Sequence, residues 1–159
     1  MPAVQLNKKV PDFSAESTGG TFRLSDHKGK NVVIYFYPKD NTSGCTLEGQ
    51  NFRDNIAKFR RNKTVVVGVS RDSLASHEKF RTEQAFPFEL ISDKDEALCK
   101  LFDVIKEKNM YGKKVMGIER STFLIDASGK LRREWRKVKV DGHVDEVLEA
   151  VRELNRANP

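Results

Sequence analysis

The chain has 159 residues, with 29 lysines and arginines against 23 aspartates and glutamates, and its formal net charge is +6. This length fits a single domain, 1–159, that can bury a core without disulfides or a structural metal, and two cysteines, Cys45 and Cys99, are too few for a secreted disulfide scaffold. The basic excess is spread along the chain without a recognised nucleic-acid motif, so we expect no nucleic-acid partner.

The first predicted elements are a hairpin and a buried strand. Residues 13–24 carry Gly19 and Gly20 between short stretches of mixed polarity, which is typical of a β-hairpin. Residues 31–37 are almost continuously apolar. Such a run predicts a strand that is covered on both faces.

A helix and a second buried strand are predicted next. We expect the helix to start at Cys45 and to continue over residues 46–61, and residues 64–70 form another apolar strand. The helix carries large apolar side chains near one face: Leu47, Phe52, Ile56 and Phe59. The segment therefore reads as a βαβ unit with Cys45 at the carboxyl end of its first strand, where open α/β sheets keep their sites.

Two further helices are predicted in the middle of the chain. Residues 73–84 form one of them, and residues 93–103 form the other. Asp93 and Glu96 are spaced like a capping box at the start of the second helix.

The last elements are a hairpin and a helix. Strands over residues 121–125 and 131–138 are joined by a turn at residues 126–129. The final helix shows the clearest helical spacing of apolar residues in the chain: Val144, Val147, Leu148, Val151 and Leu154.

No targeting or membrane segment is evident. Residues 1–9 are short and polar, and no apolar run approaches the length that spans a bilayer. We therefore expect a cytoplasmic protein without membrane contact, and we expect a monomer.

Cys45 is the most informative residue of the chain. The apolar strand ends at Pro38, a polar loop follows, and the cysteine comes seven residues after the proline, at the start of a helix. The unpaired N–H groups and the positive end of the helix dipole favour a thiolate at such a position. Thr42 lies three residues earlier, so its hydroxyl can reach the sulfur or an oxygen bound to it.

Pro38, Thr42 and Cys45 match the active-site motif of the peroxiredoxins, in which proline, threonine or serine, and cysteine stand at this spacing. The chain resembles the bacterioferritin comigratory protein branch of that family, also called the Q type. The resemblance spans nearly the whole chain and departs from the usual pattern at Ser43, where the family usually has proline, and at Gln50, where many members have a second cysteine. It rests on several further segments: Val10-Pro11-Asp12-Phe13, Tyr35-Phe36-Tyr37-Pro38-Lys39, Arg53-Asp54, and Gly117-Ile118-Glu119-Arg120-Ser121-Thr122-Phe123-Leu124-Ile125-Asp126.

This resemblance implies a thioredoxin-like α/β fold, with a central mixed β-sheet flanked by helices and an N-terminal β-hairpin extension. It also implies a peroxidase in which Cys45 attacks a hydroperoxide and becomes a sulfenic acid. Thr42 and Arg120 would donate hydrogen bonds to the reacting oxygens, and Pro38 would shield the thiolate. Arg120 is chosen because the family's active-site arginine precedes the Ser-Thr-Phe-Leu-Ile type of strand.

Each site residue also has an ordinary structural interpretation. A lone intracellular cysteine is usually a packed, inert thiol, and Thr42 could be a simple cap of the helix. Arg120 could be a solvated charge, and Glu48 could either accept a hydrogen bond near the pocket or merely suit the first helical turn. The histidines at 27, 77 and 143 are isolated in the sequence, so we expect neither a metal nor a cofactor.

The reduction of the sulfenic acid is the open question of the sequence. Family members resolve it with a cysteine five residues after the first or with one in the following helix, but here Gln50 stands at the first position and residues 73–84 contain no cysteine. We therefore expect a one-cysteine mechanism with thioredoxin, glutaredoxin or glutathione as reductant. Two alternatives stay open, namely resolution by Cys99 and a non-catalytic thioredoxin-like binding module. A dithiol oxidoreductase is disfavoured because Glu48 stands where a Cys-x-x-Cys motif needs its second cysteine.

Overall fold

The computed structural model describes residues 3–157, so the outermost residues of the expected domain 1–159 lie outside it. Within the described residues the chain forms nine strands, namely β1 Ser14–Ser17, β2 Gly20–Arg23, β3 Asn31–Phe36, β4 Thr64–Ser70, β5 Glu89–Ser92, β6 Ile105–Met110, β7 Lys113–Ile118, β8 Ser121–Ile125 and β9 Leu131–Trp135. Its α-helices are α1 Ser43–Asp54, α2 Ile56–Arg61, α3 Leu74–Gln84, α4 Ala97–Leu101 and α5 His143–Ala157, and a short 3-10 helix spans Leu24–His27.

Seven of the strands form one mixed sheet in the order β2-β1-β5-β4-β3-β8-β9. The three central strands β3, β4 and β5 run parallel, while β8 and β9 on one side and the β1–β2 hairpin on the other pair antiparallel. Strands β6 and β7 form a separate antiparallel hairpin. The mixed sheet and the N-terminal hairpin confirm the predicted architecture.

Strand β3 divides the core into two halves because successive side chains of a strand point to opposite faces. Val33 and Tyr35 pack in the half that contains Cys45 and apolar side chains of α1, α2, α3 and α5. Ile34 and Phe36 pack in the other half, which contains Cys99 and the other buried residues of α4, Leu98 and Leu101. The burial of every residue of β3 confirms that the sheet is covered on both faces.

The helix around Cys45 differs from the prediction in three respects. It begins at Ser43 rather than at the cysteine, and it breaks at Asn55 into α1 and α2. The break follows from the conformation of Asn55, which has left the helical region with φ −109° and ψ 6°. Leu47 is 47% exposed rather than packed with Phe52 and Phe59, because it lies on the solvent side of α1.

The helix predicted over residues 93–103 is shorter than expected. The helix α4 begins only at Ala97, because Glu96 takes a left-handed conformation with φ 63°. The side chain of Asp93 accepts hydrogen bonds from the backbone N–H groups of Leu98 and Cys99. The N-cap of α4 is Glu96 and not Asp93, so the predicted capping box was wrong, although the Asp93 side chain still accepts from the first turn.

Three strands lacked a sequence signal. Strand β5 has only four residues, and the hairpin β6–β7 is largely charged and exposed. The predicted strand over residues 131–138 ends at Trp135. Among residues 3–157, no helix combines the length and the apolar composition that crossing a membrane requires.

Candidate active site

The loop between β3 and α1 sets the geometry of the site. Strand β3 ends at Phe36, but Tyr37 still donates its backbone N–H to the carbonyl of Val69, so the loop leaves the sheet at Pro38. Thr42 is extended and forms the N-cap of α1, and its hydroxyl donates to the carbonyl of Lys39 at 2.8 Å. The loop therefore orients the hydroxyl, whose proton goes to the Lys39 carbonyl and not to the sulfur. The lone pairs of the hydroxyl oxygen remain free to accept a hydrogen bond.

Cys45 occupies the third position of α1 and is 2% exposed. Its backbone N–H belongs to the first helical turn, whose N–H groups have no partner within the helix. Because α1 has 12 residues, its dipole places partial positive charge at this end. The position therefore favours a negatively charged sulfur.

Arg120 supplies the second positive charge of the site. It follows β7 and precedes β8, and its Nη2 lies 3.4 Å from the sulfur of Cys45. Gly44 permits this approach, since a Cβ at that position would stand 3.2 Å from the same nitrogen. The structure thus brings Arg120 next to Cys45, and its role as a donor to the reacting oxygens stays a prediction.

Glu48 holds the guanidinium from the other side. Its Oε1 accepts a hydrogen bond from Nη1 of Arg120 at 2.7 Å, and the side chain is fully buried. Burial raises the pKa of Glu48 to about 7, although the adjacent Arg120 opposes this shift. Burial alone would lower the pKa of Arg120, but the negative charges of Glu48 and Cys45 raise it above its ordinary value. Glu48 is therefore part of the site, a role the sequence left open.

A buried polar cluster anchors the active-site loop through Asp40. The carboxylate of Asp40 accepts from the hydroxyls of Tyr37 at 2.6 Å and Ser76 at 2.8 Å, and Nδ1 of His77 lies 2.7 Å from it. The backbone N–H of Asp40 donates to Asp72. These bonds tie the loop that carries Thr42 to the start of α3.

The same cluster is the one group of three potential metal ligands in residues 3–157, with ligand atoms of Asp40, Asp72 and His77 within 4.8 Å of one another. The sequence did not reveal it, because Asp40 lies 32 residues before Asp72, on a different segment from Asp72 and His77. Nε2 of His77 lies 2.8 Å from the carbonyl of Ile91, and Asp72 accepts from the hydroxyl of Ser70. The protein itself thus supplies hydrogen-bond partners to the side chains of the cluster.

Cys99 lies on the opposite side of the sheet from Cys45. It is fully buried, and both cysteines are free thiols. Burial, followed by the neighbouring Asp93, raises the pKa of the Cys99 thiol far above its ordinary value. Cys99 is therefore a neutral core residue.

The arrangement can activate a thiol and bind a developing negative charge. A fixed guanidinium and a helix N-terminus both face the sulfur of Cys45, and Arg120 cannot lose its charge at physiological pH. Such donors stabilise a thiolate and also an oxyanion that forms beside it.

Comparisons of sequence agree with this chemistry. A model of the AhpC/TSA family matches residues 6–134. Peroxiredoxin Bcp of Xanthomonas campestris pv. campestris is 54% identical over 150 residues, which is 94% of each chain. Peroxiredoxin Bcp of Bacillus subtilis is 47% identical over 153 residues, which covers 96% of this chain and 98% of the relative.

Solved structures show the same fold. Peroxiredoxin Q of Xanthomonas campestris superposes with a TM-score of 0.85 at 53% identity, covering 89% of this chain and 90% of that chain. A cysteine-to-serine mutant of Xylella fastidiosa PrxQ superposes with a TM-score of 0.91 at 42% identity, covering 98% of this chain and 99% of that chain. The bacterioferritin comigratory protein of Xanthomonas campestris has been solved in trapped intermediate and ligand complexes that address its alkyl peroxide reduction activity. That structure is 52% identical and superposes with a TM-score of 0.85, covering 89% of this chain and 90% of that chain. These similarities confirm the predicted thioredoxin-like fold.

Proposed function

Because the chain belongs to the AhpC/TSA family, as a peroxiredoxin of the Bcp or Q type, we propose that it reduces hydroperoxides through a sulfenic acid formed on Cys45. The observation that carries this assignment is the contact between the guanidinium of Arg120 and the sulfur of Cys45, with Glu48 holding the same guanidinium. This contact places a cation beside the sulfur that would react with the peroxide.

The proposed reaction starts with the thiolate of Cys45, which attacks the terminal oxygen of the hydroperoxide. A sulfur–oxygen bond forms while the oxygen–oxygen bond breaks, so the sulfur is oxidised and the peroxide is reduced. The leaving alkoxide or hydroxide takes up a proton and departs as alcohol or water. Cys45 is left as sulfenic acid.

Ionisation of the sulfur alone does not make an efficient enzyme. Full ionisation of an ordinary thiol, with a pKa of about 8.5, raises its thiolate fraction at neutral pH by about thirtyfold. Enzymes accelerate reactions by at least about a millionfold. The larger part of the rate must therefore come from donors that stabilise charge moving across the two oxygens.

We assign these donors to residues around the sulfur. The Nη2 group of Arg120, which lies beside the sulfur, can donate to a peroxide oxygen that approaches the sulfur. The backbone N–H groups of Gly44 and Cys45 lie in the first turn of α1, where they have no partner within the helix. Thr42 holds its one hydroxyl proton on the carbonyl of Lys39, so its oxygen can accept a hydrogen bond from the hydroperoxide O–H. Pro38 is half-buried where the loop leaves the sheet, which supports its role in limiting water around the thiolate.

The sulfenic acid is reduced by an external thiol. Cys99 is buried on the far side of the sheet, so a disulfide with Cys45 would require their α-carbons to approach within about 7 Å through the core. A thiol instead condenses with the sulfenic acid to a mixed disulfide and releases water, and a second thiol then restores Cys45 and leaves as disulfide. Thioredoxin, glutaredoxin and glutathione supply such thiols.

The substrates are hydrogen peroxide and organic hydroperoxides. Alkyl peroxide reduction by the Xanthomonas campestris relative supports the organic class. The need for a thiol reductant supports a reducing compartment such as the cytoplasm, where such thiols are maintained. We propose that the enzyme acts there as a monomer.

Intact mass spectrometry after one equivalent of hydrogen peroxide tests this function. The expected product is the monomer with one added oxygen, trapped on Cys45 by a sulfenic acid reagent. Consumption of peroxide should then continue when glutathione with glutaredoxin, or thioredoxin with its reductase, is added. An unmodified mass together with no peroxide consumption under any of these reductants would identify a non-catalytic binding module instead.

A further inference from the structure

Lys108 differs from the exposed lysines of β7, Lys113 and Lys114, in the β6–β7 hairpin. The hairpin is mostly exposed, and its tip residue Tyr111 is fully so. Lys108 is only half-exposed, because its side chain folds back over the buried Gly117 of the facing strand. A Cβ on Gly117 would stand 3.3 Å from Cδ of Lys108, so the glycine leaves room for the lysine to pass.

The ammonium group of Lys108 reaches the segment that carries Arg120. Its Nζ donates to the carbonyl of Ile118, two residues before Arg120. The backbone N–H of Glu119 donates to the carbonyl of Val104 at 2.7 Å, and the carbonyl of Arg120 accepts from Val138 at 3.0 Å. Lys108 thus anchors the end of β7, directly before the two residues, Glu119 and Arg120, that join β7 to β8.

The ammonium group of Lys108 also lies close to the charged groups of the site. Burial lowers the pKa of Lys108, the positive charge of Arg120 lowers it further, and the negative charge of Cys45 opposes both. The two cations are therefore close enough to repel each other. Because the ammonium donates to the Ile118 carbonyl, its hold on Arg120 acts through the backbone.

Resting on the proposed function, we propose that Lys108 is a positioning residue of this peroxidase, which holds Arg120 against Cys45 by fixing the Ile118 carbonyl two residues before it. The lysine is not needed to hold the hairpin together, since β6 and β7 pair over six residues on each strand through their backbones. Its side chain can therefore contribute to the position of Arg120 without being required for the hairpin.

Replacement of Lys108 by methionine tests the proposal, because it removes the ammonium and keeps a stem of similar length. The control is Lys114→Met, which removes the same charge from the same hairpin at a side chain that is 81% exposed and paired only loosely, at 3.7 Å, with Glu107. Both variants are compared with the wild type in two assays. One is the second-order rate constant for hydrogen peroxide, and the other is the rate of alkylation of Cys45 by iodoacetamide, which requires the thiolate but no oxygen donor.

We expect Lys108→Met to lower the peroxide rate constant about tenfold and the alkylation rate by less than about threefold, because misplaced donors slow the oxygen transfer more than they change the thiolate. Lys108→Arg, which keeps the charge and the donor, should recover most of the peroxide rate. Lys114→Met should match the wild type in both assays. Far-ultraviolet circular dichroism should be the same for all four proteins.

Equal peroxide rates in Lys108→Met and Lys114→Met would overturn the proposal and leave the function intact. An equal loss in both assays would also overturn it, since Lys108 would then act on the sulfur and not on Arg120. Absence of peroxide consumption by the wild type and the Lys114→Met control would instead refute the proposed function, and the role of Lys108 with it.

Discussion

Arg120 reaches Cys45 across the edge of the sheet, with its Nη2 3.4 Å from the sulfur. The reason lies in strand pairing, because β3 and β8 are antiparallel neighbours and Phe36 at the end of β3 faces Ser121 at the start of β8. The loop that leaves β3 and the residue that enters β8 therefore meet at the same edge. The contact depends on the register between β3 and β8, and it places a permanent cation beside the sulfur.

Replacement of Cys45 by serine should abolish peroxide reduction. A hydroxyl is a far weaker nucleophile than a thiolate at neutral pH, and Cys99 is buried on the other face of the sheet. The measurement is hydrogen peroxide consumption with a thiol reductant in excess. Residual turnover above about a tenth of the wild-type rate would remove Cys45 from the proposed role.

Replacement of Arg120 by lysine should lower the peroxide rate constant at least about tenfold while the fold is retained. Lysine keeps the charge but cannot donate to Glu48 and to Cys45 through one rigid, planar group, as Arg120 does. The control is Arg133→Lys, the same change at an exposed position of the edge strand β9. Stopped-flow rates that are equal in the two variants would refute the assignment of Arg120.

Replacement of Thr42 by valine should lower the same rate constant at least about tenfold, because the oriented hydroxyl is lost while the shape of the side chain is kept. Thr42→Ser retains the hydroxyl and should retain most of the rate. Iodoacetamide alkylation of Cys45 allows the rates to be compared at equal thiolate content. If the valine variant then keeps the wild-type rate, Thr42 serves only as the cap of α1.

Replacement of Cys99 by serine should leave most of the peroxidase activity with glutathione and glutaredoxin as reductant. The Cys99 thiol is fully buried, and burial raises its pKa, so it is neither accessible nor ionised. Peptide mapping of peroxide-treated wild type should recover oxidised Cys45 without a link to Cys99. A dominant link between the two cysteines that is lost together with turnover in Cys99→Ser would establish a two-cysteine mechanism.

Glu48 should make the protein less stable as the pH rises. Burial raises its pKa in the folded state from 4.5 to about 7, so the folded protein binds more protons than the unfolded chain between these two values. The stabilisation is complete below pH 4.5 and is lost as the pH rises through about 7, with a total of roughly 3 kcal/mol. Urea unfolding at several pH values across this window measures the loss.

Glu48→Gln should show a flatter pH dependence of the unfolding free energy over the same window, because glutamine does not titrate. Glu149→Gln, which changes an exposed glutamate on α5, is the matched control and should follow the wild type. Parallel curves for wild type and Glu48→Gln would show that Glu48 does not titrate in this range.

The sequence alone was enough to predict most of the helices and strands of the central sheet and its flanking layers. The strands β3 and β4 are continuous apolar runs, the helix α5 has apolar residues at helical spacing, and both predicted hairpins have turn glycines. All of these signals act over a few neighbouring residues. The segment from Pro38 to Cys45 is equally local. It could be interpreted without knowledge of the fold, because a strand end, a loop and a helix start follow one another directly.

Only the tertiary structure decided which residues surround the sulfur. The partnership of Glu48 with Arg120, the burial of Cys99 on the opposite face and the reach of Lys108 to Ile118 all join residues from separate elements. A side chain has the same local pattern whether its distant partner is present or not, and a shift of strand register by one residue would turn every side chain of that strand to the other face. The partners of the site were therefore set by the pairing of β3 with β8 and by the two-sided packing of the sheet, which no local pattern encodes.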